Sequence, residues 1–116
     1  MDVQIKRIYT LPEDHDGYRV LVDRIWPRGM SKTKIVMDAW WKELAPSHDL
    51  RKWFNHDVNR WPEFQIQYMK ELNANNLLFQ ARIKECEKIS KITLLYSAKD
   101  ELHNQAIVLK AVLMLS

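Results

Sequence analysis

The chain of 116 residues holds one cysteine, Cys86, so no disulfide can close within it. That fits a reducing cytoplasm. One cysteine and four scattered histidines show no ligand spacing, and no metal site is expected. Only two glycines are present, Gly17 and Gly29. The patterns G-x-G-x-x-G, G-x-x-x-x-G-K-[ST] and G-x-S-x-G are absent. Their absence removes dinucleotide enzymes, P-loop NTPases and serine hydrolases of the usual kind, and leaves no expected cofactor. No apolar stretch approaches the roughly 18 residues of a membrane span. The N-terminus has no signal-peptide core. No run of five like charges occurs either. With 18 basic and 15 acidic residues the net charge is +3, without the dense basic stripe of a dedicated DNA binder. A cytoplasmic location with no membrane partner is expected. No pattern specifies an oligomeric state.

What is present is an ordinary globular balance, 47% hydrophobic and 28% charged, long enough to bury a core as one domain over 1–116. Residues 3–9 alternate polar and apolar, as in a strand with one covered face. Residues 18–23 carry a continuous apolar run, Val20-Leu21-Val22, as in a central strand covered on both sides, and the β-branched and apolar core of 91–97, Ile92-Thr93-Leu94-Leu95, again suggests burial. Ser31 offers a cap for a helix over 32–44, where Ile35, Val36, Ala39, Trp40 and Leu44 fall on one side. Ser47 caps a short helix through Trp53 and Phe54. Trp61, Phe64, Tyr68 and Leu72 form a clean helical stripe, and a further helix spans 77–88 with Cys86 facing the core. Asp100 is the expected N-cap of a last helix over 101–114. Strands separated by a long helical crossover pair in parallel. The expectation is therefore an α/β fold, with a small, mostly parallel sheet of about three strands and helices packed on it.

Parallel α/β folds bind ligands outside the carboxyl ends of their strands. Two such ends are visible, Asp23 to Gly29 and Ser97 to Asp100, each followed by an expected helix start that favours an anion. Arg24 and Arg28 offer forked donors for a phosphate or carboxylate, and Lys99 adds a point charge. Gly29 allows close backbone approach. Ser97 and Asn104 supply neutral hydrogen bonds. Asp23, Asp100 and His103 are the candidate acid–base groups. Trp26, in the strand-exit turn, could line a pocket and stack on a base or sugar, or pack into the core. Each has a structural alternative: an Asp23–Arg24 ion pair, Asp100 as a helix cap, His103 as a cap-region partner. The corner at 44–57 reads first as a helix–turn–helix junction packed by Trp53 and Phe54. Arg51 and His56 join the crevice only if this corner folds over it.

The runs RVLVDRIWPRG at 19–29, WKELAPS at 41–47, LRKWFNHD at 50–57 and LLYSAKDE at 94–101, with His103-Asn104 after it, resemble the domain of unknown function 488 family in its short YeaO-like branch. The resemblance covers nearly the whole chain. It implies a compact α/β domain and brings no established reaction. Longer relatives carry a Cys-His-Arg stretch after the last strand. Here that place reads Glu101-Leu102-His103-Asn104-Gln105, so thiol chemistry does not carry over. The leading expectation is a protein that binds a small anionic, phosphate- or nucleotide-like ligand at the paired strand exits, with acid–base catalysis open. The alternative is a nucleic-acid-binding or regulatory module, with a positive face built from residues such as Arg51, Lys52, Arg60 and Lys70. A third is a protein-interaction role through exposed aromatics between Trp40 and Trp61.

Overall fold

The computed structural model describes residues 1–115. Four strands form one all-parallel sheet: β1 (Asp2–Arg7), β2 (Tyr18–Leu21), β3 (Ala39–Trp40) and β4 (Lys91–Tyr96), in the order β1-β4-β2-β3. Four helices accompany them: α1 (His48–Phe54), α2 (Trp61–Ala74), α3 (Asn76–Glu85) and α4 (Gln105–Met114). The α/β class is as expected, and the two apolar runs are the central neighbours β2 and β4. The sheet has four strands rather than about three.

Side chains alternate across the sheet, and its two faces are covered differently. Val3, Val20, Val22, Ile92, Leu94 and Tyr96 join the helical core of Leu50, Phe54, Phe64, Tyr68, Leu72, Leu109 and Leu113. Tyr68 is fully buried and donates its hydroxyl to the Leu44 carbonyl at 2.7 Å. Burial pushes that phenol far above its usual range, so it stays a neutral donor. The other face is covered without α-helices. Ile8, Leu21 and Leu95 pack under Trp26, Met30, Ile35, Met37 and Trp40. Beside them lies a polar cluster. Asp16 is completely buried and bonds Lys6 (3.0 Å), Arg19 and Gln4 (3.1 Å). Thr93 donates to the Asp16 carbonyl at 2.6 Å.

The expected helix over 32–44 does not form. Ser31 does cap, accepting the Lys34 amide at 3.2 Å, but the turn goes no further. Arg19 intervenes: its amide donates to the Asp38 carboxylate (2.8 Å) and its carbonyl accepts the Asp38 amide (2.7 Å). That pairing draws the segment into edge strand β3, with Val20 beside Ala39 and Leu21 beside Trp40. Val36, assigned to a buried helical stripe, is exposed. The last helix also starts later than expected. Asp100 accepts the Leu102 and His103 amides of a separate turn (2.8 and 3.0 Å), and Asn104 is the true cap of α4. Cys86 is buried, as the C-cap residue of α3.

Gly17 enters β2 at φ 66°, where a Cβ would stand 2.5 Å from the Lys91 carbonyl oxygen. Only glycine fits there, because both the left-handed backbone and the space exclude a side chain.

Candidate functional site

The crevice follows from the sheet order. β2 and β4 are neighbours, yet the chain leaves them to opposite faces. After β2 it crosses to the face of Leu21 and Leu95, and after β4 it turns into α4 on the face of Val3 and Leu94. Adjacent strands whose connections diverge leave a gap at their carboxyl ends. Here that gap is a cavity of about 340 Å³, within the range of small-molecule sites.

Asp23, Arg24, Trp26, Arg28, Ser97, His103 and Asn104 all line it. Gly29, Lys99 and Asp100 do not. Helix α1 contributes Arg51 and Phe54 to the lining, and the corner after it contributes His56. Asn55 and His56 both adopt left-handed backbone, φ 45° and 55°, which turns the chain sharply enough to place His56 near Phe54, ring centroids 6.5 Å apart. Of the pair expected to pack this corner, Phe54 is buried. Trp53 is exposed, with the Arg60 guanidinium over its ring.

Asp23 lies at the floor, 8% exposed. Its Oδ2 accepts the Ser97 amide at 3.1 Å and its Oδ1 accepts Gln105 Nε2 at 2.6 Å. Burial pushes its carboxyl above the usual range, opposed by the hydrogen bonds from Ser97 and Gln105 and by the charge of Arg51. No Asp23–Arg24 ion pair forms among the described residues. Arg24 instead donates Nε to the Pro46 carbonyl and Nη2 to the Ala45 carbonyl, both at 2.9 Å. It stitches the strand exit to the corner before α1. Trp26 is both a lining residue and a packed one. It lines the crevice, meets Trp40 edge-on at 5.4 Å, and donates Nε1 to the Met30 carbonyl at 2.6 Å.

The second mouth is a chain of caps. Asn104 accepts the Ala106 and Ile107 amides at 3.0 and 3.3 Å, and donates to the Asp100 carbonyl at 2.9 Å. The amides expected to receive an anion at the last helix are therefore taken, and the first strand exit leads into no helix. The Leu102 amide, and beyond it the ring and amide of His103, hold the Asp100 carboxyl below its usual range against the smaller opposing effect of burial. His103 Nδ1 lies 2.9 Å from Asp100 Oδ2, and its ring stands edge-on to Trp61 at 5.4 Å.

The charge in the crevice comes from side chains. The lining holds three arginines, Arg24, Arg28 and Arg51, and two histidines against one acid, Asp23. Among the described residues, the guanidiniums of Arg28 and Arg51 make no hydrogen bond or ion pair. Of the residues expected to form a basic face, Arg51 lines this crevice. Arg60 is held by the Trp53 carbonyl and lies 3.7 Å from Asp57. Of the tryptophans from Trp40 to Trp61, only Trp53 is exposed.

A family profile described as the inactive DUF488-N3 subclade matches residues 2–116. The chain belongs to this family. It is 46% identical to the uncharacterised protein YeaO of Escherichia coli K12 over 109 residues, 94% of each chain. Uncharacterised proteins of Mycobacterium tuberculosis and Mycobacterium bovis share 41% identity over 80 residues, 69% of this chain and 68% of theirs. No solved structure matches significantly. No helix among the described residues is long and apolar enough to cross a membrane.

Proposed function

We propose that this member of the DUF488-N3 subclade binds a small anionic, phosphate-bearing ligand in the strand-exit crevice and does not turn it over. The observation that carries this is the pair of uncommitted guanidiniums, Arg28 and Arg51, in a lining with a single buried acid. Forked donors with no hydrogen bond or ion pair among the described residues suit a phosphate or carboxylate. His56 and His103 add ring nitrogens to the same wall. Binding rather than catalysis fits the absence of an activated nucleophile among the described residues. The Ser97 hydroxyl serves Asp23, and among the described residues it makes no hydrogen bond to His103, the pairing that activates a hydroxyl. Glu101 to Gln105 holds no cysteine, and the family's description as inactive points the same way. The cytoplasmic expectation suits a soluble metabolite.

A thermal-shift screen of phosphorylated metabolites tests this. At about one hundred times the dissociation constant, binding stabilises the fold by about 2.7 kcal/mol. That is a rise of roughly ten degrees in the midpoint of a chain this size. Arg51→Ala and Arg28→Ala should each abolish most of the rise. A hit that survives both substitutions unchanged places binding elsewhere, and a screen with no hit removes the proposal.

A further inference from the structure

We infer that the ligand is a phosphate ester bearing hydroxyl groups about one sugar ring from the phosphate, with the phosphate at the Arg28–Arg51 rim and a hydroxyl donating to Asp23 at the floor. This rests on the anion reading of the crevice and adds an orientation to it. The lining is graded by depth. Arg28 and His56 are exposed and Arg51 is half-buried, so the positive charge sits at the mouth. His103 lies between, with a side chain 26% exposed. Asp23, at 8%, and Asn104, at 2%, lie at the bottom.

A carboxylate at the floor excludes a bare anion from it, because like charges in a poorly solvated site repel strongly. The same carboxylate is a fixed acceptor. An ionised carboxylate has about four lone-pair sites, and the protein uses about three of them, for the Ser97 amide and hydroxyl and for Gln105. Those bonds hold its plane still and leave about one site for a ligand in the crevice that Asp23 lines. A ligand that fills the crevice must therefore be negative at one end and a hydrogen-bond donor at the other. The rest of the lining is largely apolar and aromatic, with Trp26, Pro27, Pro46, Phe54 and Phe64. It suits the carbon face of a sugar ring, and the further cation in it, Arg24, is held by backbone carbonyls. Inorganic phosphate would occupy the rim alone.

Titration calorimetry with inorganic phosphate, ethyl phosphate and ribose 5-phosphate tests the orientation. Ribose 5-phosphate should bind at least about tenfold more tightly than ethyl phosphate, the worth of one charge-assisted hydrogen bond. Asp23→Asn, close in shape, should remove that ratio while leaving inorganic phosphate binding as strong or stronger. The ethyl phosphate comparison needs no variant, so it stands even if Asp23→Asn fails to fold. Equal affinity for the two esters overturns the inference while leaving the anion site standing. So does a ratio that persists in a folded Asp23→Asn protein. If none of the three probes binds, or binding is indifferent to Arg51→Ala and Arg28→Ala, the anion reading falls and this inference with it.

Discussion

Replacing Asp16 by asparagine should be among the most damaging single polar changes in this protein. The side chain is completely buried, and its carboxylate holds Lys6 at 3.0 Å and Arg19 beneath the sheet. Asparagine keeps the shape and removes the charge, leaving two cations without their common counter-ion. Lys6 retains Glu13 at 3.0 Å, but an ion pair with a half-exposed partner is worth under about 1 kcal/mol. Breaking a buried pair by removing one partner costs about 3–5 kcal/mol. An unfolding entropy of about 2.1 cal/mol/K per residue makes each kcal/mol worth about 4 °C in a chain this long. The midpoint at pH 7 should therefore fall by about 12–20 °C, measured by circular dichroism. Acid supplies a second arm. Burial opposes ionisation of Asp16, but the backbone hydrogen bond with Glu13, then Lys6 and Arg19, outweigh it and lower its pKa from 3.8 to about 2. A carboxyl depressed in the folded state contributes stability above pH 3.8 that is lost as pH falls toward 2. The wild-type and Asp16→Asn melting curves should therefore converge over that interval. A loss under about 4 °C at neutral pH, or a deficit that stays constant down to pH 2, would refute the reasoning.

Other substitutions separate roles that look alike. Asn104→Ala removes the side chain that accepts two amides at the start of α4 and should cost about 1–2 kcal/mol in urea denaturation. Asp100→Ala, which leaves that cap in place, should cost less. Gly17→Ala should cost at least about 2 kcal/mol, because its Cβ meets the Lys91 carbonyl at 2.5 Å and its φ is positive. Gly29→Ala, with nothing within 4 Å, should cost only the backbone strain of about 1 kcal/mol, and equal losses would contradict the contact argument. Arg24→Ala should lower stability by about 1–3 kcal/mol, since two carbonyls of the buried residues Ala45 and Pro46 lose their donor. Arg28→Ala, exposed and unbonded at its guanidinium, should stay within about 0.5 kcal/mol in the same denaturation experiment.

The strands were legible because apolar runs covered on both sides have few other uses in a chain of this length. Tyr68 and Leu72 were legible because the α2 stripe repeats over three turns. The segment 32–44 misled because helical spacing and a one-sided edge strand draw on the same residue types. Ile35, Met37 and Trp40 are partly buried against Leu21 and Leu95, and Ala39 against the core on the opposite face, rather than all along one side of a helix. The deciding partner, the main chain of Arg19, lies 19 residues from Asp38, and local periodicity does not register it. The start of α4 misled for a related reason. Asp100 and Asn104 are both good caps four residues apart, and both cap. Asp100 closes a turn that lifts His103 toward the crevice, and Asn104 starts the helix.

For the site, adjacency was readable and commitment was not. Two strand exits, each dense in polar residues, imply a common mouth once β2 and β4 are neighbours, and the lining contains residues from both. Nothing in the sequence separates Arg24 from Arg28, four residues apart in one turn. Their difference comes from the Ala45-Pro46 bend, whose carbonyls have no strand partner among the described residues and so take the nearest forked donor. Arg51 had the opposite history. In sequence it belongs to a charged helix with Lys52 and Asp49, and it reaches the crevice only if the corner at 44–57 folds over. Only the two left-handed residues Asn55 and His56, which reverse the chain immediately after α1, show that this helix ends over the crevice. One arginine was thus spent on holding the mouth in shape and another was delivered to it from a different element, so the mouth keeps two guanidiniums without a hydrogen bond or ion pair among the described residues, Arg28 from the strand exit and Arg51 from α1. On the proposed reading an anion meets donors from two separate elements, so either substitution alone should weaken it.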